Sequence, residues 1–590
     1  MLSLLSDPFL QLPTDSTVRV VWFTEWEGGR HWVDYGQDLE RQAIASSQKI
    51  GLREDGRSHW NGAPPCVPGQ PVKVIDRPVW RHEVIVTGLQ PGDRLPYRVT
   101  SIFQGENKTE KQVIKPQKIQ SQIFQLSPHP PRDKAVQILL TSDHQMMPMV
   151  PQTLQKAVET CGDFDAVFYA GDMVNVPDRA SEWFDDRRGR SFFPCFQGRA
   201  IATKPAANQP KLKTEPGVDR VTSDEPNTQC PGGEILQSTP IFPCIGNHEV
   251  MGKRDGGVGL NGEFNDPIPL TIQTKDSADK NWIDQRLKDL NDELEKAGDR
   301  PFNTDAYEAI FTLPTDSPGG KRYYATTFGP VRLISLQITN AWRWFDKDGK
   351  IKSRFCEKEI DLNHPDQWGG GQLIFEPIAK GSQQYQWLQE QLEHPEFKSA
   401  TYRIVMFHHP PHSLGKNIVP PYTDPLQEIQ RDNTGDITSI RYHYEKSKDY
   451  LATDVMPLLE QSGVDLVYYG HCHLWNRFEQ KTERGTVHYL ESSHGGNTHG
   501  AAWGENERFI PDELRGDRNY TPVGDPNDLV PIMPTLAPLR DPKTQEPIPY
   551  IAHKNMGAFS VLDTGTGEVT SYRYESGRSP IKFDVFRLGE

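Results

Sequence analysis

An α/β domain preceded by a smaller all-β domain is the fold class this sequence predicts, and three observations carry the prediction. Residues 17 to about 126 hold short β-branched and aromatic runs separated by Gly, Pro and Asp turns. From Ala135 onward the runs become continuously apolar, as expected of strands buried on both faces. Segments with helical spacing lie between several of those later runs. The first region offers TVRVVWFTEW, HWVDYG, VKVIDR, HEVIVTGL and LPYRVTSIF, a spacing that suggests a β-sandwich. SPHPPRD, residues 127–133, has the proline density of a short stiff linker.

The second region offers AVQILLTSD, DAVFYAGD, IFPCIGN, VRLISLQIT, YRIVMFHH and VDLVYYGH as buried strands. PQTLQKAVETC opens with Pro151 and spaces Leu154 and Val158 as i, i+4, so it predicts a helix. SQQYQWLQEQLEHP starts at Ser382 and stops before Pro395, and KDYLATDVMPLLEQSG ends at Gly463, suited to close a helix. DKNWIDQRLKDLNDELEKAGD predicts an inserted helix with Ile283, Leu287, Leu290 and Leu294 on one face. Residues 198–239 and 414–449 are polar and nearly aperiodic, and predict long loops. The domain reading is an extension (1–16), a sandwich (17–126), the linker (127–133) and a catalytic domain (134–590). The last carries insertions near 198–239, 253–306, 414–449 and 505–550.

With 590 residues the chain is too long for one ordinary domain. The 48 Gly and 49 Pro favour turns over long helices, and a mean hydropathy of −0.66 excludes a membrane-rich protein. The formal net charge of −15, without a basic block, argues against nucleic acid and anionic membrane as partners. Seven scattered cysteines form no CxxC pair, and the N-terminal apolar run is broken by Asp7 and Pro8 without a basic start. Free thiols and a cytoplasmic location are the expectation.

The polar residues at the ends of the buried strands carry the chemistry. The runs deliver Asp143, Asp172, Asn247 with His248, His408 with His409, and His471 with His473. That C-terminal edge is where open α/β sheets bind ligands. An Asp after a strand commonly caps a helix, and a single His there is commonly a core hydrogen-bonding group. Five such ends in succession are not explained that way. In extended chain, the HCH pair would point both imidazoles to one face. Carboxylates, imidazoles and one amide make a mixed oxygen and nitrogen donor set suited to Mn, Fe or Zn.

GDMVN at 171–175, GNHE at 246–249, HHPPHS at 408–413 and GHCH at 470–473 resemble the signature blocks of calcineurin-like metallophosphoesterases. The sandwich, KRYYATTFGPVRLISLQIT, KGSQQYQWLQEQL, GGN at 495–497 and the terminal strands resemble the purple acid phosphatase branch, whose N-terminal domain is fibronectin type III-like. The likeness covers roughly 17–505 and 556–575. It implies a four-layer α/β/β/α domain and two metal ions bridged by Asp172. Asp143 and His473 would complete one site, and Asn247, His408 and His471 the other. Two cations would clamp a phosphoryl group and generate hydroxide to attack phosphorus. His248 would assist the leaving group as a catalytic acid, with His412 a further catalytic candidate. Gln145, Asn175 and His409 would lie on or just behind the first metal. Gln145 stands where many members have a ligand His, and Asn175 where the purple branch has its ligand Tyr. The implied function is hydrolysis of small phosphate monoesters. The alternatives are a phosphodiesterase or nucleotide pyrophosphatase, and a non-catalytic metal-binding or adhesion protein.

Overall fold

The computed structural model describes residues 2–65, 72–104, 106–107, 112–113, 115–201, 230–254, 259–275, 277–340, 352–418, 422–510, 512–516, 520–541 and 543–589. Most of the 198–239 segment lies outside the described residues, so the loop expected there is not placed.

Two antiparallel sheets form the N-terminal region. One has the order Phe9–Gln11, Thr17–Thr24, Val79–Thr87, Ser46–Ile50, and the other Gln117–Gln120, Pro96–Phe103, Arg30–Tyr35, Arg41–Ile44. Residues 9–11, counted above in an extension, therefore belong to a sheet. Alternation in Thr17–Thr24 has two uses. Val18, Val20 and Trp22 fill the sandwich with Val33, Val86 and Val99. Val21 and Phe23 point the other way and join one core with Trp183, Phe184 and Phe193 of the following domain. The Phe23 and Phe184 rings lie 5.0 Å apart.

Two mixed sheets make the centre of the second domain. We label β1 Gln137–Thr141, β2 Ala166–Tyr169, β3 Ile241–Pro243, β4 Tyr324–Phe328, β5 Val331–Ser335, β6 Tyr402–Met406 and β7 Leu466–Tyr469. The later strands are β8 Trp475–Thr482, β9 Gly485–Ser492, β10 Tyr550–Ile551, β11 Met556–Asp563, β12 Glu568–Glu575 and β13 Ile581–Arg587. The first sheet runs β3-β2-β1-β11-β12-β13 and the second β4-β5-β6-β7-β9-β8-β10. Strands β1–β2–β3 are parallel, as are β5–β6–β7–β9. Leu333, Ile404, Leu466 and Tyr468 share a core with Ile138, Leu140 and Phe168 of the first sheet. Their neighbours Ile334, Val405, Val467 and Tyr469 face the opposite way. There they meet Trp387 and Leu388 of α2 (Gln383–Glu393) and Leu459 of α3 (Met456–Ser462). On the first sheet, α1 (Val150–Cys161) buries Leu154 and Ala157. Helix α2 begins as expected, with the Ser382 hydroxyl accepting from Tyr385 N, and α3 closes on Gly463 at φ +75°.

The inserted helix spans Ser277–Lys296, with Ile283 and Leu287 buried against Trp368, Ile440 and Tyr442. Residues 414–449 are not loop throughout. Leu426–Arg431 and Ile437–His443 form a hairpin across an Asp432–Gly435 turn. Gln427, Ile440 and Tyr442 are buried while their neighbours Leu426, Glu428 and Arg441 are only half-buried, an alternation that the polar Gln427 and the prolines before the hairpin leave without a clear apolar signal in the sequence. Beneath this hairpin, buried Glu357 accepts from Tyr442 Oη (2.6 Å) and the Gly369 and Gly370 amides (2.8 and 3.0 Å). Burial pushes its carboxyl up to about 7, from an ordinary 4.5. The folded state thus holds this proton where the unfolded state has released it, so stability falls as pH rises from 4.5 toward 7. Glu357→Gln should remove this slope, worth on the order of 3 kcal/mol, from thermal melts taken across that range. An unchanged slope would assign it to other groups.

Among the described residues, six cysteines are free thiols and no helix is long and apolar enough to cross a membrane.

Candidate metal centre

Strands β1, β2, β3, β6 and β7 end side by side, and the turns after them bring the expected residues together. The chain at these turns leaves ordinary backbone space. Asp143 (φ +55°), Asp172 (+60°), His471 (+83°) and His473 (+55°) are all left-handed, a costly conformation for non-glycine residues that concentrates at functional sites. Glycines make room for it. A Cβ on Gly246 would lie 2.2 Å from Asp172 Oδ1, and one on Gly470 would lie 2.3 Å from Asp143 Oδ2.

Asp172 lies at the centre. Its Oδ1 accepts from His248 N at 2.8 Å; its Oδ2 accepts from Gln145 Nε2 at 2.8 Å and lies 3.2 Å from His408 Nε2. Asn247 Oδ1 stands 3.1 Å from both His408 Nε2 and His471 Nδ1. On the other side, His473 Nε2 is 3.5 Å from Asp143 Oδ1, and both Asp143 oxygens accept from His471 N. Donor atoms of Asp143, Asp172 and His473 lie within 4.8 Å of one another, as do those of His408, His409 and His471.

The HCH pair behaves differently from the extended-chain expectation. Residues 471–474 form a bend beyond β7, so His471 joins His408 while His473 joins Asp143. The chain crosses from one group to the other within three residues. Asp143 likewise caps no helix; α1 begins after Met149.

The electrostatics are those of a site built for a cation. Burial disfavours the Asp172 carboxylate, yet His408 and His248 hold it well below its ordinary range. Burial also opposes charge on His408, but Asp172 lifts it to about 10. His408 Nδ1 donates to Ala170 O at 2.8 Å, which turns Nε2 toward Asp172 and Asn247. Burial and the neighbouring imidazoles push His409 and His471 well below the ordinary histidine range, so both rings are neutral with lone pairs available. His409 is buried, its ring lies 3.9 Å from that of His471, and among the described residues neither of its nitrogens has a hydrogen-bond partner. Buried imidazole nitrogens without partners beside carboxylates fit a divalent metal.

Several residues support this arrangement. Buried Glu249 accepts from the amides of Asp172, Met173 and Gly246, each at 2.8 Å, tying the β2 and β3 turns together. Glu491 does the same elsewhere, accepting from Cys472 N (2.8 Å) and Ser413 Oγ (2.7 Å). Burial pushes both acids up to about 8. Glu249 belongs to the GNHE block, yet nothing in the sequence marks it as a clamp on three amides, and Glu491 carries no signal beyond a charge on an apolar strand. Arg354 was also missed. It is buried, donates to Asn417 O at 2.6 Å, and lines a cavity with His409 and His471. His499 is exposed, with its ring 4.9 Å from that of His473.

The remaining candidates divide. His248 Nδ1 donates to Asn175 O at 2.8 Å and its Nε2 lies 4.0 Å from Asp172 Oδ2, with the ring partly exposed. Asn175 Nδ2 donates to Gln145 O. His412 faces away from these groups: Nδ1 meets Asp525 Oδ2 at 2.8 Å and the ring packs on Tyr489 and Phe478. Tyr169 is packed against Phe192 and Phe196, with its hydroxyl on His144 N at 3.1 Å.

The model of the calcineurin-like phosphoesterase family matches residues 136–474, and the chain belongs to that family. It is a metal-dependent phosphoester hydrolase with the metallophosphoesterase fold. Among solved structures, a purple acid phosphatase from yellow lupin (Lupinus luteus) seeds is 13% identical with a TM-score of 0.49; the likeness covers 98% of this chain and 73% of that one. The GAP50 anchor of the inner membrane complex of Plasmodium is 10% identical with a TM-score of 0.30, covering 77% and 90%. At these scores the assignment rests on the family match. No curated protein matches the sequence.

Proposed function

We propose that this enzyme is a binuclear phosphomonoesterase of the purple acid phosphatase-like branch. One observation carries the reading: the Asp172 carboxylate stands between two donor groups, with Asp143 and His473 on one side and His408, His471 and Asn247 on the other. A carboxylate can serve two cations because it has two oxygens, whereas an imidazole offers one lone pair. Asp143, Asp172 and His473 would hold one ion; Asp172, Asn247, His408 and His471 would hold the second. Fe, Mn or Zn suits this set. When bound, the pair supplies Lewis acidity and the positive charge that an acidic chain lacks for a phosphate substrate. Gln145 steadies Asp172 from the side, and His409 stands beside His471 with both nitrogens open.

His248 is the proton donor in this reading. Its Nδ1–H is committed to Asn175 O, so Nε2 is the atom facing the site, and its partial exposure lets a substrate reach it. From there it protonates the leaving-group oxygen as the ester bond breaks. The substrate is a small phosphorylated molecule.

Parallel assays with p-nitrophenyl phosphate and its bis ester test the proposal. Faster turnover of the monoester, with two metal equivalents per chain, is expected. A preference for the diester would favour a phosphodiesterase on the same residues.

A further inference from the structure

The proton donor is wired to the N-terminal β domain through buried charges. Asp55, just after the short strand Arg53–Glu54, receives Arg179: Nε at 3.0 Å from Oδ1 and Nη2 at 2.7 Å from Oδ2. Arg179 Nη1 donates to Glu182 Oε1 at 2.7 Å. The other oxygen of Glu182 accepts the amides of Asn175 (2.5 Å) and Val176 (3.1 Å). Asn175 O then accepts from His248 Nδ1. Asp55, Arg179 and Glu182 are all almost fully buried. Removing one partner of a buried ion pair leaves an uncompensated charge and is strongly destabilising, so these contacts resist piecemeal rearrangement. Backbone contact reinforces it, since Arg53 N donates to Asp178 O at 2.8 Å.

We propose that Asp55 is a positioning residue for His248, and hence that the β domain is part of the catalytic scaffold rather than a separable binding module. The inference rests on the reading of His248 as the proton donor. Without the Asp55 carboxylate, Arg179 keeps Glu182 and the Asn261 Oδ1 at 2.6 Å, with no acid to hold its Nε. The Asn175–Val176 turn shifts, and His248 Nε2 loses its aim.

Leaving-group dependence tests this, because a general acid matters for a poor leaving group and hardly for a good one. In Asp55→Ala, kcat on phenyl phosphate should fall by about 10-fold or more, while kcat on 2,4-dinitrophenyl phosphate changes by less than about 2-fold. Metal content and KM should hold. Asp55→Asn keeps the side-chain volume and should show the same selectivity, more weakly, should the alanine variant fail to fold. Equal losses on the two esters, or none, would overturn the proposal. His248→Ala is the reference. If it shows no such selectivity, the reading of His248 fails; if it does and the Asp55 variants do not, only the present inference fails.

Discussion

Asp172→Ala is expected to abolish hydrolysis, by more than about 10⁴-fold in kcat, and to release metal from both sides of the site. The shared carboxylate is the reason. Removing it takes one donor from the Asp143 and His473 group and leaves the His408 imidazole without the anion that faces it at 3.2 Å. Asn247→Ala is the comparison, since its oxygen faces His408 and His471 and its loss should empty mainly that side. Elemental analysis after gel filtration reads the difference, with a thermal melt to show that the variants are folded. Full metal content in Asp172→Ala would show that the carboxylate bridges nothing.

For His248→Ala the expected result is a 10²–10⁴-fold fall in kcat with both metals retained. The ring's Nδ1 is held by Asn175 O and its Nε2 lies 4.0 Å from Asp172 Oδ2, while its backbone amide, which holds Asp172 Oδ1, survives the substitution. Steady-state kinetics together with metal analysis separates the two roles. Metal loss would make His248 a ligand and move proton donation elsewhere.

The buried parallel strands and the residues at their ends were legible because both signals are local. An apolar run of β-branched residues defines the strand, and an Asp or His just beyond it stands at the ligand-binding edge. What escaped depended on contacts between distant segments. Glu491 meets Cys472 and Ser413 only after β7 and β9 pair, and Arg354 reaches His409 and His471 only once its segment folds under the hairpin. The direction of HCH escaped for another reason. Spacing alone implied extended chain, but positive φ at His471 and His473 sends the two rings to different groups. His412 shows the converse limit. Its place in HHPPHS suggested chemistry, whereas Asp525, far away in sequence, holds its ring among Tyr489 and Phe478.

The shared role of Asp172 is tested most directly by anomalous diffraction from crystals of the metal-loaded enzyme, collected at the absorption edges of Mn, Fe and Zn. Two anomalous peaks are expected, one on each side of Asp172, the first also touching Asp143 and His473 and the second Asn247, His408 and His471. A single peak, or two peaks of which only one contacts Asp172, would contradict the binuclear assignment.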